Sequence, residues 1–265
     1  MYRSWPGCAR SHGRAELGPC RAPPPQIVSH RGGAFLWPEN SLEAFRNSLA
    51  LPIEQAECDI HLSADGVPVV IHDTTLQRTT EGHGPVAALS AAQLTQLRLR
   101  GAGHLKVPTL AELAALFRGQ PMQLQVELKT PPGQAPDPVL LQRTLAVLDA
   151  AGIRAQCRII SFEADLAAAA RHAGGLAGVI WLFGPSMLAS IGAEGVVGVA
   201  RAHGFDTVET EIGALDAALA GRLRQAGLRI GVWGANHAPG IGKAMSLGVD
   251  MMATDDPVLA LALRG

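Results

Sequence analysis

Short runs rich in β-branched residues alternate with longer Ala- and Leu-rich segments along the chain from residue 26 onward. The short runs have the length of buried strands, and the longer segments repeat apolar residues at the helical period. The predicted strands cover 26–30, 56–62, 122–128, 156–161, 178–182, 206–210, 228–233 and 249–254. The predicted helices lie near 40–50, 109–118, 137–151, 163–173, 187–203, 214–226, 238–247 and 256–263. The pattern therefore predicts eight strands, each followed by a helix.

This alternation of strand and helix predicts a parallel β-sheet with helices packed against it. Eight parallel strands are the number that closes a (β/α)8 TIM barrel, and 265 residues suffice for one such domain. An open doubly wound sheet is the alternative, but the glycine-rich fingerprint GxGxxG of nucleotide-binding sheets is missing from the sequence. We therefore predict one α/β domain over residues 26–265, a TIM barrel with a small insertion after the second strand.

A long segment separates the second predicted strand from the next helix. Asp65 and Gly66 form a strong turn signal, and the apolar run VPVVIHD follows them. The remaining segment, about 35 residues, is longer than an ordinary loop between strand and helix. Because long loops often serve a functional site, we interpret residues 73–106 as a small subdomain or lid over the barrel mouth.

Residues 1–25 differ from the rest of the chain. They contain several Pro, Gly and Arg residues, show no apolar period, and lack the apolar core of a secretory signal. The segment is predicted to be a disordered extension. A chain that begins near Pro25 is therefore expected to keep its melting temperature and its turnover.

The composition excludes several classes of protein. Hydrophobic residues make up 48% of the chain and charged residues 17%, and 22 Lys and Arg nearly balance 23 Asp and Glu, so non-specific nucleic-acid binding is not expected. The four cysteines are scattered without a CxxC pair, which favours reduced thiols and a cytosolic setting. The sequence has no run of about 18 apolar residues, so stable membrane insertion is not expected either. The Ala-rich helices are typical of a GC-rich bacterium.

Acidic residues of the second and third predicted strands face the barrel axis. Catalytic groups of a β/α barrel lie at the carboxyl ends of its strands. Glu57 and Asp59 alternate along the second strand and share one face, and Glu127 lies near the end of the third. Three inward carboxylates repel one another unless a cation binds between them. Their hard oxygen atoms are suited to Mg²⁺ or Ca²⁺, so we predict a divalent metal site.

Basic residues occur at the same end of the predicted barrel. His30 and Arg31 end the first strand in VSHRGG, and Lys129 follows the third strand. His72 ends the hairpin run VVIHD. Arg31 and Lys129 beside a metal suit a phosphate group. His30 and His72 are predicted to act as general acid and general base on opposite sides of the phosphorus, with one ring initially neutral and the other protonated.

Several of these signals have an ordinary structural explanation when each is taken alone. A Glu-x-Asp pair on a strand usually belongs to a solvated face, and Trp233 alone is typical of a core. Asn40 fits the N-cap of the helix SLEAFRNSL, with Glu43 completing a capping box. Their joint occurrence at strand ends, with complementary charges, favours a shared site. Asn40 is expected to combine the cap with a role in that site.

A series of motifs runs through residues 26–260 in a fixed order: HRGG, PENSLEAF, ECDIHLSADGVPVVIHDTTLQRTT, VPTLAEL, VELKT, ISF, GVW, GVD and TDDP. Together they resemble the glycerophosphodiester phosphodiesterase family. The resemblance implies a TIM barrel with an insertion after the second strand. It implies that Glu57, Asp59 and Glu127 hold a divalent metal and that His30 and His72 form the acid/base pair.

The resemblance also implies which residues hold the substrate. Arg31 and Lys129 correspond to the residues that bind the phosphate. Glu39 and Asn40 match the Pro-Glu-Asn motif, in which Asn40 contacts the metal or the substrate. Trp233 matches an aromatic residue that lines the glycerol side. The chain departs from the family where it reads WGAN instead of the usual WTVN, a change that bears on substrate preference.

Three functions are compatible with these residues. The leading hypothesis is metal-dependent hydrolysis of glycerophosphodiesters to sn-glycerol 3-phosphate and an alcohol, in which either the neighbouring substrate hydroxyl or water is the first nucleophile. Attack by the hydroxyl gives a cyclic phosphate that water then opens. The second hypothesis is a lysophospholipase D-like phosphodiesterase on the same scaffold, which an apolar rim within residues 73–106 would favour. The third is a non-catalytic phosphodiester-binding barrel, which the presence of both histidines disfavours.

Overall fold

The computed structural model describes residues 23–265, so the extension predicted over 1–25 lies outside the described residues except for its last three. The strands are β1 (Gln26–Ser29), β2 (Gln55–Leu62), β3 (Pro68–Val70), β4 (Gln123–Leu128), β5 (Cys157–Ser161), β6 (Gly178–Leu182), β7 (Thr207–Glu211), β8 (Arg229–Trp233) and β9 (Met251–Thr254). The helices are α1 (Leu42–Leu49), α2 (Ala91–Leu94), α3 (Leu110–Leu116), α4 (Pro138–Ala151), α5 (Ala164–Ala173), α6 (Pro185–His203), α7 (Ala217–Gln225), α8 (Ala238–Leu247) and α9 (Pro257–Arg264).

All strands except β3 form a closed parallel barrel. They follow the order β1-β9-β8-β7-β6-β5-β4-β2, and the pairing of β1 with β2 closes the ring. The predicted TIM barrel is confirmed, and no barrel strand or major helix differs from its predicted bounds by more than three residues at either end. The agreement follows from the strong alternation of buried strands with amphipathic helices.

The side chains of β2 show how the strands divide the interior into two layers. Ala56, Cys58 and Ile60 pack in the large apolar cluster between the strands and the helices. Glu57 and Asp59 alternate with them and therefore point into the barrel. Since all five residues are buried, the inward acids require partners inside the barrel.

The segment after β2 adds a small hydrophobic unit beside the barrel. β3 pairs antiparallel with β2, with Ile60 opposite Val70. The seven buried members of its apolar cluster are Val69, Ile71, Leu76, Val86, Leu94, Leu99 and Val107. Within this unit α2 begins with a capping box formed by Ser90 and Gln93. The unit therefore has apolar packing of its own against the edge of the barrel.

No helix within residues 23–265 combines the length and the apolar character needed to cross a bilayer.

Candidate active site

The carboxyl ends of the barrel strands surround a cavity that contains most of the predicted site residues. Its lining consists of His30, Arg31, Glu57, His72, Glu127, Lys129, Ile160, Phe162, Leu182, Glu209 and Trp233. Asp59 contacts Arg31 and Lys129, and Asn40 contacts Asp59. Glu39 lies next to Arg31. The structure therefore brings all of the predicted site residues together.

A tight turn after β1 presents the first two of them. β1 ends at Ser29, one residue before the predicted end, because His30–Gly32 form a short 3₁₀ turn. Arg31 and Gly32 adopt the left-handed region with φ of 51° and 79°. A Cβ atom at Gly32 would lie 2.8 Å from the Cβ of Ala44 in α1. Glycine therefore allows the turn to pack on α1 in this conformation.

Three buried carboxylates meet on one side of the cavity. One oxygen atom from each of Glu57, Asp59 and Glu127 lies within 4.8 Å of the others. Burial raises the pKa of Glu57 well above its ordinary value, and the charges of Asp59 and Glu127 raise it further. The Oε1 atom of Glu57 is buried without a hydrogen-bond partner among residues 23–265. Groups of the protein therefore balance the negative charge of this cluster only in part.

Lys129 and Arg31 both form ion pairs with Asp59. Lys129 Nζ lies 3.0 Å from Asp59 Oδ1 and 2.8 Å from Glu127 Oε1. Arg31 Nε lies 3.3 Å from Asp59 Oδ2. Although burial opposes ionisation of Asp59, Lys129 and Arg31 lower its pKa far below the ordinary value. Glu57 instead accepts a hydrogen bond from the Arg31 backbone N–H, at 3.0 Å.

Asn40 lies just before the N-cap of α1 and does not itself cap the helix. The N-cap of α1 is Ser41, whose side chain accepts a hydrogen bond from the Ala44 backbone N–H. The predicted cap at Asn40 and its capping box with Glu43 are therefore wrong. Asn40 precedes the cap in the left-handed region, with φ 58°, and its Nδ2 atom donates to Asp59 Oδ2 at 2.8 Å. Its side chain orients the carboxylate of Asp59.

Both histidines of the cavity lie against a carboxylate. His30 Nδ1 is 2.6 Å from Asp255 Oδ1, and His72 Nδ1 is 2.7 Å from Asp73 Oδ1. A carboxylate only accepts hydrogen bonds, so the proton of each neutral ring lies on Nδ1 and Nε2 keeps its lone pair. Burial lowers the pKa of His72, which favours its neutral ring. The site thus holds two oriented imidazoles.

Asp255 and Asn236 are site residues that sequence reasoning missed. Asn236 Nδ2 donates to Asp255 Oδ2 at 2.6 Å, and the Asp255 backbone N–H donates to Asn236 Oδ1 at 2.9 Å. These bonds hold the carboxylate that orients His30. The signal that could have identified them is their position, because Asp255 directly follows β9 and Asn236 closely follows β8.

Arg78 connects the segment after β3 to the site. Its guanidinium forms two hydrogen bonds with Glu39, each 2.8 Å, and two with Asp73, of 2.7 and 2.8 Å. Glu39 also accepts from Arg31 Nη1 at 3.1 Å, and Asp73 contacts His72. The hydrogen bonds from Arg78 lower the pKa of Asp73. Arg78 therefore fixes the two carboxylates that position Arg31 and His72 in the cavity.

A second side of the cavity is apolar. Ile160, Leu182, Phe162 and Trp233 line it, and the Phe162 ring meets the Trp233 ring edge-on with 5.4 Å between centroids. Glu209 of β7 also lines the cavity. Sequence reasoning missed Glu209, because an alternating acidic pair such as that in VETE is typical of a solvated strand face.

Comparisons with known proteins identify relatives over most of the chain. The model of the glycerophosphoryl diester phosphodiesterase family matches residues 30–259. A solved structure from Agrobacterium tumefaciens that carries this family name is 30% identical, with a TM-score of 0.88 over 91% of this chain and 98% of its own. A phosphodiesterase from Oleispira antarctica, solved in complex with the product sn-glycerol-3-phosphate, is 24% identical with a TM-score of 0.78 over 91% and 96%. At that identity the likeness establishes the fold.

Curated relatives match over shorter segments. Glycerophosphodiester phosphodiesterase 1 of Bos taurus is 39% identical over 95 residues, which are 33% of this chain and 29% of that protein. The glycerophosphodiester phosphodiesterase of Caldanaerobacter subterraneus is 33% identical over 110 residues, or 39% of this chain and 45% of that protein. The aligned segments thus span less than half of these relatives. The family model and the Agrobacterium structure together confirm the resemblance seen in the motifs, and this chain belongs to the glycerophosphoryl diester phosphodiesterase family.

Proposed function

We propose that this chain hydrolyses glycerophosphodiesters to sn-glycerol 3-phosphate and an alcohol, using a divalent metal and two histidines. The observation that carries the proposal is the cavity at the barrel mouth, where a carboxylate cluster, two cations and two oriented imidazoles meet. Membership of the family supports a phosphodiester as the bond that is cleaved.

The carboxylate cluster fits a divalent cation. Glu57, Asp59 and Glu127 offer three hard oxygen ligands within one small buried region, a donor set that Mg²⁺ and Ca²⁺ share. The partnerless Oε1 of Glu57 is an atom that a cation satisfies. We propose that these residues hold the metal. When bound, the metal supplies positive charge that offsets the negative charge of the phosphodiester.

Arg31 and Lys129 are proposed to bind the phosphate oxygens. Both line the cavity, and each is held at one side by Asp59. A guanidinium can fork onto two oxygen atoms, and an ammonium acts as a compact charge beside them. Together they fix the orientation of the phosphorus toward the histidines.

His30 and His72 are proposed to transfer the protons. Because Asp255 and Asp73 hold the two Nδ1 atoms, both Nε2 atoms are available to the substrate. One ring removes the proton of the attacking hydroxyl group, and the other protonates the oxygen of the leaving alcohol. This division predicts a bell-shaped pH profile. The limb of the profile that reports the ionisation of His72 is expected below pH 6.5, the ordinary pKa of histidine, because burial lowers the pKa of His72.

A panel of phosphodiesters tests the proposed function. Purified protein is incubated with glycerophosphocholine, glycerophosphoethanolamine and glycerophosphoinositol in the presence of Mg²⁺ or Ca²⁺, and sn-glycerol 3-phosphate is measured enzymatically. We expect its release from at least one diester, with an equal amount of the alcohol. Release of a phosphorylated alcohol and free glycerol would contradict the proposed direction of cleavage, and no turnover of any diester would contradict the function.

A lysophospholipase D-like activity is the second candidate, favoured by exposed apolar residues in segments that follow barrel strands. Large exposed hydrophobic side chains lie in segments that follow β1, β5 and β6: Phe35, Leu36, Phe162, Met187 and Ile191. They lie outside residues 73–106, the segment in which an apolar rim would favour this activity. Adding lysophosphatidylcholine to the panel discriminates the two functions. A preference for it over glycerophosphocholine that Phe35→Ser reduces, without loss on glycerophosphocholine, would favour the second.

Arg78→Ala is expected to lower kcat on the best glycerophosphodiester by about 10- to 100-fold, the usual effect of losing a group that supports an active-site side chain. Since the Arg78 side chain is 46% exposed, the melting temperature of the Arg78→Ala variant should differ little from that of the wild-type protein. Arg78→Lys should recover only part of kcat, because an ammonium group cannot pair with two carboxylates through two parallel hydrogen bonds each.

Arg98→Ala provides the matched control for this prediction. Arg98 lies in the same segment and is also exposed, but contacts no residue of the site. Its replacement should leave kcat and KM unchanged. Equal kinetics for Arg78→Ala and Arg98→Ala would show that Arg78 does not position the site.

A further inference from the structure

Glu209 is a cavity residue that neither metal binding nor proton transfer uses. It is 3% exposed, and its Oε2 atom is buried without a hydrogen-bond partner among residues 23–265. Its side chain nevertheless lines the same cavity as His30 and Trp233. A buried carboxyl oxygen without a partner is unfavourable, and a ligand in the cavity can supply the missing hydrogen bond.

The neighbouring strand leaves room for this carboxyl group. Gly231 of β8 lies opposite Glu209 of β7 in the sheet register. A Cβ atom at Gly231 would lie 2.8 Å from Glu209 Oε2 and 3.0 Å from its Cγ. Gly231 is not one of the glycines with positive φ, so its backbone does not itself require glycine. The presence of glycine at position 231 is explained by the space that it leaves for the side chain of Glu209.

The order of the strands places Glu209 across the barrel from two acids of the carboxylate cluster, Glu57 and Asp59. Three strands separate β7 from β2 in either direction around the ring, namely β6, β5 and β4 or β8, β9 and β1. Glu57 and Asp59 belong to β2, so these two acids lie on the wall opposite Glu209. Between the two walls, Ile160 and Leu182 supply apolar lining. A substrate group that extends away from the phosphorus therefore meets Glu209 as a polar partner on an otherwise apolar side.

We propose that Glu209 binds the terminal hydroxyl group of the glycerol moiety, the one farthest from the phosphoester, and thereby selects glycerol esters. This inference rests on the proposed function and adds the residue that recognises the glycerol. Burial, together with the charge of Glu127, raises the pKa of Glu209 to about 8. The carboxyl group can accept a hydrogen bond from a hydroxyl group in either protonation state, and when protonated it can also donate one.

Two chromogenic esters that differ by one hydroxyl group test the inference: glyceryl p-nitrophenyl phosphate and 2-hydroxypropyl p-nitrophenyl phosphate. Both keep the hydroxyl next to the ester and release the same phenol, so the ratio of their kcat/KM values isolates the terminal hydroxyl. In the wild-type protein we expect a ratio of about 10 to 100, the usual effect of leaving a buried hydrogen-bonding group unpaired.

Glu209→Leu should bring this ratio close to one, and Glu209→Gln, which keeps a donor and an acceptor, should retain most of it. Gly231→Ala should act like Glu209→Leu, because its added methyl group displaces the carboxyl. It supplies the same test if Glu209→Leu does not fold. A wild-type ratio near one overturns the inference, as does an unchanged ratio in a folded Glu209→Leu or Gly231→Ala variant. Failure of the wild-type protein to cleave either ester or any natural diester would instead overturn the proposed function.

Discussion

Replacing either His30 or His72 with alanine is expected to lower kcat on glycerophosphocholine by about 10²- to 10⁴-fold, the usual contribution of a positioned acid or base. This loss corresponds to about 3–5 kcal/mol of transition-state stabilisation. Each ring is fixed through Nδ1, at 2.6 Å from Asp255 and 2.7 Å from Asp73. Its Nε2 atom is therefore in place before the substrate binds, and removing the ring removes that preorganised group.

The pH profile and a control histidine separate this role from a structural one. Each alanine variant should lose one limb of the bell-shaped profile, and His72→Ala should lose the limb displaced below pH 6.5. His83 is exposed and does not belong to the lining of the cavity, so His83→Ala should keep wild-type turnover. Near-full turnover in His30→Ala or His72→Ala would show that two-histidine catalysis is wrong.

Removing the divalent metal with a chelator is expected to abolish turnover, and adding Mg²⁺ or Ca²⁺ should restore it. Without a cation, burial and the charges of Asp59 and Glu127 raise the pKa of Glu57, so the empty cluster is electrostatically strained. Metal binding should relieve this repulsion and stabilise the fold by about 2.7 kcal/mol at a metal concentration of 100 times Kd. A melting curve with and without metal measures this effect independently of activity.

Glu57→Gln should behave like the protein from which the metal has been removed. We expect turnover to be lost and the metal-dependent rise in melting temperature to be much reduced. Glu81→Gln is the matched control, because Glu81 is an exposed acid of the segment after β3. It should behave like wild type in both measurements. Full activity of thoroughly stripped protein, or an unchanged metal-dependent stabilisation in Glu57→Gln, would contradict the proposed ligand set.

The barrel could be predicted from the sequence because each element carries its own local signal. Buried strands such as β6 read as short apolar runs, and their helices end at glycines or begin at capping residues. The inward positions of Glu57 and Asp59 followed from the two-residue period of a strand. The cap at Ser41 was misassigned because Asn40 and Ser41 are adjacent and both favour N-caps. Only the observed backbone, with Asn40 in the left-handed region, distinguishes them.

The supporting contacts of the site could not be predicted, because they depend on how distant segments meet. His30 and Asp255 are 225 residues apart in sequence, and Arg78 and Glu39 are 39 apart. The relation between Glu209 and Gly231 is visible only once the register of β7 and β8 is known. A single sequence shows the residues that a strand end presents, but it does not show which residues orient them.

The division of the cavity between two groups of strands bears on how its specificity can evolve. The proposed reactive groups belong to β1, β2, β4 and their adjoining loops, whereas Ile160, Leu182, Glu209 and Gly231 belong to β5–β8. Substitutions in the second group can change which group is accepted on the glycerol side of the phosphodiester while the hydrolytic machinery stays intact. Gene duplicates of this barrel can therefore diverge in substrate preference while they keep the same hydrolytic reaction. A combinatorial library at those four positions gives direct access to the same divergence in the laboratory.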